Sequence, residues 1–269
     1  RFYEIPQRDR ADSISINTNT QSAVKARDLR SNSKQILKLK KAYEAKYSNG
    51  FFATKRGEII PADKDKQYCI ELSYLGKNLT AWYMQRPNLS YGETKIFDKY
   101  FNTLFKNDYL PEDAYALSFW MRKIMDAWTQ ENPLGLEEEL LTMKAYAPYH
   151  LLFAISMVFA KCNNQTNVPS PSECLKVASE NNLVDSIINI AANCLNSAIS
   201  AEKNNCEQNN RSFIPQNWVK NKSCNAGIMS AIQNYFSFLP TMNKEMDSKL
   251  KNGVKIDSKY FSYRVQAED

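Results

Sequence analysis

The run Leu151-Leu152-Phe153-Ala154-Ile155-Ser156-Met157-Val158-Phe159-Ala160 decides the fold class. Wound as a helix it is apolar on every side, so it must be enclosed by protein or by lipid. It falls short of the roughly 18 residues that a bilayer crossing needs, Ser156 interrupts it and Lys161 ends it. The reading is a buried core helix, with no membrane segment. Tyr146, Tyr149 and His150 precede it on the same helix. A lone histidine among apolar neighbours is expected to be a hydrogen-bonded core residue.

The flanking sequence keeps the helical period. Apolar spacing predicts helices over Ile70 to Gln85, Tyr91 to Phe105, Pro111 to Gln130, Leu136 to Lys161, Ser172 to Glu202 and Pro215 to Phe238. Pro111 and Pro215 stand at first helical turns, where proline is tolerated. Phe119, Trp120, Ile124 and Trp128, like Tyr235, Phe236 and Phe238, follow helical spacing and are expected in the core. Asn163 to Ser172 and the asparagine-rich Asn204 to Ser212 read as linkers or loops.

Towards the N-terminal end the pattern changes. Ser33 to Tyr47 is a helix with Asn32 or Ser33 as its N-cap, and Ser48-Asn49-Gly50 closes it. Phe51 to Lys55 reads as a short aromatic strand entering an Arg56-Gly57 turn. Phe2 to Ile5 reads as a further strand, caught in mid-course without an initiating methionine, and Arg8 to Asn17 as a short helix. The chain is therefore expected to begin inside a longer protein. The Lys244 to Lys259 segment is a charged tail, followed by a last strand at Tyr260 to Val265. The fold class expected is mainly α, with the end of a small α+β module over 1–67 and a larger helical domain over 68–269, subdivided near 163–172 if at all.

Composition narrows the function classes. Only 7 glycines leave little material for a phosphate-binding glycine loop, and 1 histidine with 6 cysteines lacking any Cys-x-x-Cys spacing does not make a zinc site. The cysteines read as reduced core thiols of a cytoplasmic protein. The net charge of +6 is a mild bias towards acidic partners such as nucleic acid.

One ordered series of elements is more specific. Ile16-Asn17-Thr18-Asn19-Thr20-Gln21 is followed by Ala26-Arg27-Asp28-Leu29-Arg30-Ser31-Asn32, a helix, Phe51-Phe52 and Lys55-Arg56-Gly57-Glu58. Next come Leu79-Thr80-Ala81-Trp82-Tyr83-Met84-Gln85-Arg86-Pro87 and Tyr100-Phe101-Asn102-Thr103-Leu104-Phe105. In order and spacing these resemble the AIPR (abortive infection phage resistance) family over roughly the first 105 residues. The resemblance implies a bacterial anti-phage protein with an N-terminal restriction-endonuclease-like domain and an Asn-Gly-x-Gln-Thr element, neither of which this chain contains. It supplies no catalytic residue and no metal ligand here. No cofactor is called for in the chain itself, and a divalent metal would belong to the absent nuclease domain.

The candidate ligand-facing residues are Asn19, Gln21, Lys25, Arg27, Arg30, Lys55 and Arg56. Amide side chains offer a donor and an acceptor in one plane to a base or nucleotide, and guanidiniums match phosphate. The alternative for Asn19 and Gln21 is that they brace a turn, and for the cations that they line a solvated face. The Lys55 to Glu58 turn could gather backbone N–H groups on an anion, or be an ordinary exposed turn. Glu137-Glu138-Glu139 and Asp63-Lys64-Asp65-Lys66 read as solvated charge, because adjacent acids on a helix diverge. Two functions follow: recognition of nucleic acid or nucleotide in support of the nuclease domain, or a non-catalytic sensor that binds a phage protein or forms a homo-oligomer.

Overall fold

The computed structural model describes residues 26–105, 111–162 and 168–242. The strands expected at Phe2 to Ile5 and Tyr260 to Val265, the helix at Arg8 to Asn17 and the charged tail at Lys244 to Lys259 lie outside the described residues. In chain order the helices are α1 (Ala26–Arg30), α2 (Lys34–Lys46), α3 (Leu72–Trp82), α4 (Glu93–Phe97), α5 (Phe101–Leu104) and α6 (Pro111–Ala127). Then come α7 (Glu138–Leu141), α8 (Ala147–Cys162), α9 (Pro171–Glu180), α10 (Val184–Gln208), α11 (Pro215–Trp218) and α12 (Lys222–Met242). The only strands among the described residues are β1 (Phe51–Ala53) and β2 (Cys69–Glu71), which pair in parallel with Phe51 opposite Cys69. The protein is mainly α, with a small two-stranded sheet near its N-terminal end.

Helix α8 is the axis of the packing. Leu151 through Ile155 are each fully buried, as are Val158 and Phe159, and α3, α6, α10 and α12 pack around them. Apart from Ala154, each such side chain contributes about 1.5–3 kcal/mol by leaving water. The same cluster of buried side chains takes in Tyr43 and Phe52 at one end of the chain and Ile228 and Ile232 at the other. Trp120, Ile124 and Trp128 are buried as their spacing predicts, while Phe119 is half-buried.

Several predicted helices are broken in the structure. Ile70 lies in β2, and α3 begins only at Leu72. The Tyr91 to Phe105 segment divides into α4 and α5, and Leu136 to Lys161 divides into α7 and α8. Between α9 and α10 Asn182 adopts φ 55°, and the Leu183 N–H returns to the Ala178 carbonyl at 2.8 Å. That is a left-handed cap, which asparagine tolerates better than other residues with a side chain. The predicted Asn204 to Ser212 loop is instead helical to Gln208, and Asn210, at φ 52°, ends it.

The described end of the other predicted linker is anchored, not free. The Trp82 indole N–H donates to the Pro169 carbonyl at 2.7 Å, and Ser170 caps α9. Buried Asp113, in the first turn of α6, accepts from the hydroxyls of Tyr83 (3.1 Å), Ser170 (2.9 Å) and Ser172 (2.6 Å). The carboxylate thus lies at the N-terminal ends of α6 and α9, where both helix dipoles favour a negative charge.

Candidate recognition groove

Of the residues predicted to face a ligand, Asn19, Gln21 and Lys25 lie outside the described residues. Arg27 and Arg56 are brought together on one carboxylate: Arg27 Nη2 lies 3.2 Å from Asp28 Oδ1, and Arg56 Nη2 lies 4.0 Å from Asp28 Oδ2. Arg27 is buried and its Nε finds no acceptor. Arg30 turns inward, donating to the Phe97 carbonyl at 3.2 Å and lying 4.6 Å from the centre of the Phe101 ring. Lys55 and Arg56 are exposed.

The turn that carries them already holds an anion of the protein's own. Glu58 Oε2 accepts from the Thr54 N–H at 2.8 Å and the Lys55 N–H at 3.1 Å, while its Oε1 takes the Lys40 ammonium at 3.1 Å. Burial pushes the Glu58 carboxyl up, but hydrogen bonds from Lys55, Lys40 and Thr54 outweigh it and leave the group below its ordinary value.

The loop beyond Glu58 leads to a groove of about 470 Å³. Ile60, Pro61, Ala62, Lys64 and Lys66 form one rim, and Cys69 to Glu71 form the end wall. The opposing walls are two helix faces, Tyr74 and Asn78 of α3 against Ser118, Met121, Arg122, Met125 and Asp126 of α6. On α6 these positions recur every three or four residues, the spacing of one helical face. The other face of α6, with Leu117, Trp120 and Ile124, is in the core. No family model, curated protein or solved structure matches this chain.

The groove joins an apolar floor to a cationic edge. Arg122 donates to Ser118 Oγ at 2.9 Å and lies 5.9 Å from the Tyr115 ring centre. That single bond leaves most of its donor fork for a ligand. Lys64 reaches back to the Ser48 carbonyl at 2.9 Å, and Lys66 is exposed. Burial raises the Cys69 thiol, which donates to the Asp65 carbonyl at 3.3 Å, so the sulfur is protonated and weakly nucleophilic at neutral pH. Asn78 is 2% exposed, its amide N–H meets the Leu117 carbonyl at 3.4 Å, and its side-chain oxygen has no partner.

None of Lys64, Lys66, Asn78 or Arg122 was singled out for ligand contact by the sequence. The available signal was the mixed polar and methionine face of α6, opposite an aromatic one. Among the described residues no group of three or more His, Cys, Asp or Glu side chains is placed to hold a metal ion. The five cysteines whose side chains are described are free thiols, four of them buried. His150 is 1% exposed, with Nδ1 3.3 Å from the Tyr146 carbonyl and Nε2 buried without a hydrogen-bond partner. No described helix is long and apolar enough to cross a membrane.

Proposed function

We propose that this chain is a recognition module for nucleic acid or a nucleotide, the C-terminal part of a bacterial abortive-infection protein that supports a nuclease domain outside the chain. The nuclease-like domain as intramolecular partner follows from the AIPR resemblance, and the cytoplasmic setting from the reading of the cysteines as reduced core thiols. The groove carries the reading: Lys64, Lys66 and Arg122 edge an apolar cleft of about 470 Å³, a volume suited to a nucleotide-sized ligand. Lys55 and Arg56 are on the same loop, and Arg56 is within about 14 Å of Ile60 by chain reach alone. Glu71 and Asp126 also line the cleft, which favours a short anion over a long polyanion running through it.

The test is a titration of the chain with nucleotides and single-stranded oligonucleotides at two salt concentrations. Binding should weaken as salt rises and fall at least about tenfold in a Lys66→Ala, Arg122→Ala double variant. Absence of binding at low salt would remove the reading.

A sensor or scaffold role, with a phage protein or a second copy as partner, is favoured by one observation: Ile59 is 87% exposed beside Ile60 at 38%. Light scattering that shows oligomers dispersed by Ile59→Asp would support it.

A further inference from the structure

A second surface, which shares no residue with the groove lining, carries the next step. Ile59 is 87% exposed and Leu37 is 41% exposed. They come from different elements but flank one contact. Glu58, which precedes Ile59, takes the Lys40 ammonium at 3.1 Å, and Leu37 stands on α2 less than one turn before Lys40. Ile36, Leu39 and Tyr43 of α2 are in the core. The side of the helix that carries Lys34, Leu37 and Lys41, at three- and four-residue spacing, is therefore turned to solvent.

The charge displayed around these two apolar side chains is of one sign. Lys34, Lys41, Lys55 and Arg56 are exposed. The nearby carboxylates are engaged within the protein. Glu44 accepts from the Phe52 N–H and pairs with Lys40, Glu58 holds Lys40 and the Thr54 and Lys55 N–H groups, and Asp28 is shared by Arg27 and Arg56. A phosphate polymer would satisfy the cations and leave Ile59 in water. A second copy laid patch on patch would set like charges against each other. An anionic bilayer meets both demands, because its headgroups attract the cations and its acyl boundary takes the apolar side chains.

We propose that this face is a peripheral docking surface for an anionic lipid membrane. Ile59 and Leu37 enter the interface, and Lys34, Lys41, Lys55 and Arg56 meet the headgroups. The contact is interfacial and involves no spanning segment. It is independent of ligand binding in the groove.

The experiment is co-sedimentation of the chain with vesicles of phosphatidylcholine alone and of phosphatidylcholine mixed with phosphatidylglycerol. The mixed vesicles should bind at least about tenfold more tightly, since each cation near an anionic surface adds about fivefold, and raised salt should remove most of that preference. A Lys34→Glu, Lys41→Glu double variant should lose about tenfold or more on the mixed vesicles. Ile59→Asp should lose about tenfold or more, whereas Ile59→Leu should stay within about twofold. Thermal melts check that the variants fold, and the comparison of the two vesicle types in the unsubstituted chain needs no variant at all. Equal or absent binding to the two vesicle types overturns the proposal. Binding that salt weakens but Ile59→Asp leaves unchanged overturns it as well, because the apolar contact is then missing. Oligomers seen by light scattering, with no vesicle bound, assign the face to a protein partner and overturn the bilayer. Nucleotide titration of the Ile59→Asp variant should match that of the unsubstituted chain, so the two readings stand or fall separately.

Discussion

Asp113 and His150 show how single buried polar groups set the stability of this fold. The Asp113 carboxylate is the common acceptor for Tyr83, Ser170 and Ser172. Asp113→Ala should remove the acceptor these hydroxyls share and lower unfolding stability by about 3 kcal/mol. Asp113→Asn should cost about half as much, because the Tyr83 hydroxyl can turn to accept from the new amide. Urea denaturation of both variants checks the order, and an alanine variant no weaker than the asparagine one would contradict it. His150 gives a pH dependence of known sign. Burial lowers its imidazole to about 4 in the folded chain, while the unfolded side chain titrates at its ordinary value of about 6.5. Between those values the unfolded chain binds the proton and the folded chain does not, so stability falls as pH drops through that window. The expected loss is about 2 kcal/mol from pH 7 to pH 5. His150 is the only histidine in the chain, so urea midpoints of His150→Asn should be nearly flat over the same range.

Among the elements, the tightest glycine position is in the turn from α2 into β1, where the chain passes the residue before β2. A Cβ on Gly50 would stand 2.7 Å from the Tyr68 carbonyl oxygen and 2.9 Å from Tyr68 Cβ. Backbone cannot yield there as a side-chain tip could, so Gly50→Ala should lose about 2 kcal/mol despite its stiffer unfolded chain. It should also alter the near-ultraviolet circular dichroism, since Tyr47, Tyr68 and Tyr115 stack with ring centres 5.1–5.4 Å apart. Gly92 is the control: nothing lies within 4 Å of its Cβ position, and Gly92→Ala should be close to neutral. The α2 helix and the β1 strand were legible in the sequence because apolar period and terminators agree over Ser33 to Ala53. The helix breaks were not. Apolar spacing continues across Asn181-Asn182 and across 142–146, and a left-handed asparagine or a single turn of backbone leaves no mark on that period.

For the whole molecule, what was legible followed from burial and what was missed followed from assembly. The run from Leu151 to Ala160 announced an enclosed helix, and α8 is enclosed by α3, α6, α10 and α12. The groove had no comparable signal, because Asn78 and Arg122 meet only through the packing of α3 against α6, and Lys64 joins them from the loop before β2. Arg27 and Arg30 illustrate the converse, being cations that the sequence offers as a surface and the fold uses internally. Helix α8 also carries the test of cooperativity. Phe153 is fully buried in the cluster that contains Trp82, Trp120, Trp128 and Trp218, so its removal is felt where all of the tryptophans report. Phe153→Ala should lower unfolding stability by about 3–5 kcal/mol. Because the cluster joins Phe52 to Ile228, tryptophan fluorescence and far-ultraviolet circular dichroism should trace one shared transition in urea, displaced by the same amount in the variant. Two separated transitions, only one of them moved by Phe153→Ala, would mean that the helices around α8 and the segment around β1 unfold as independent units.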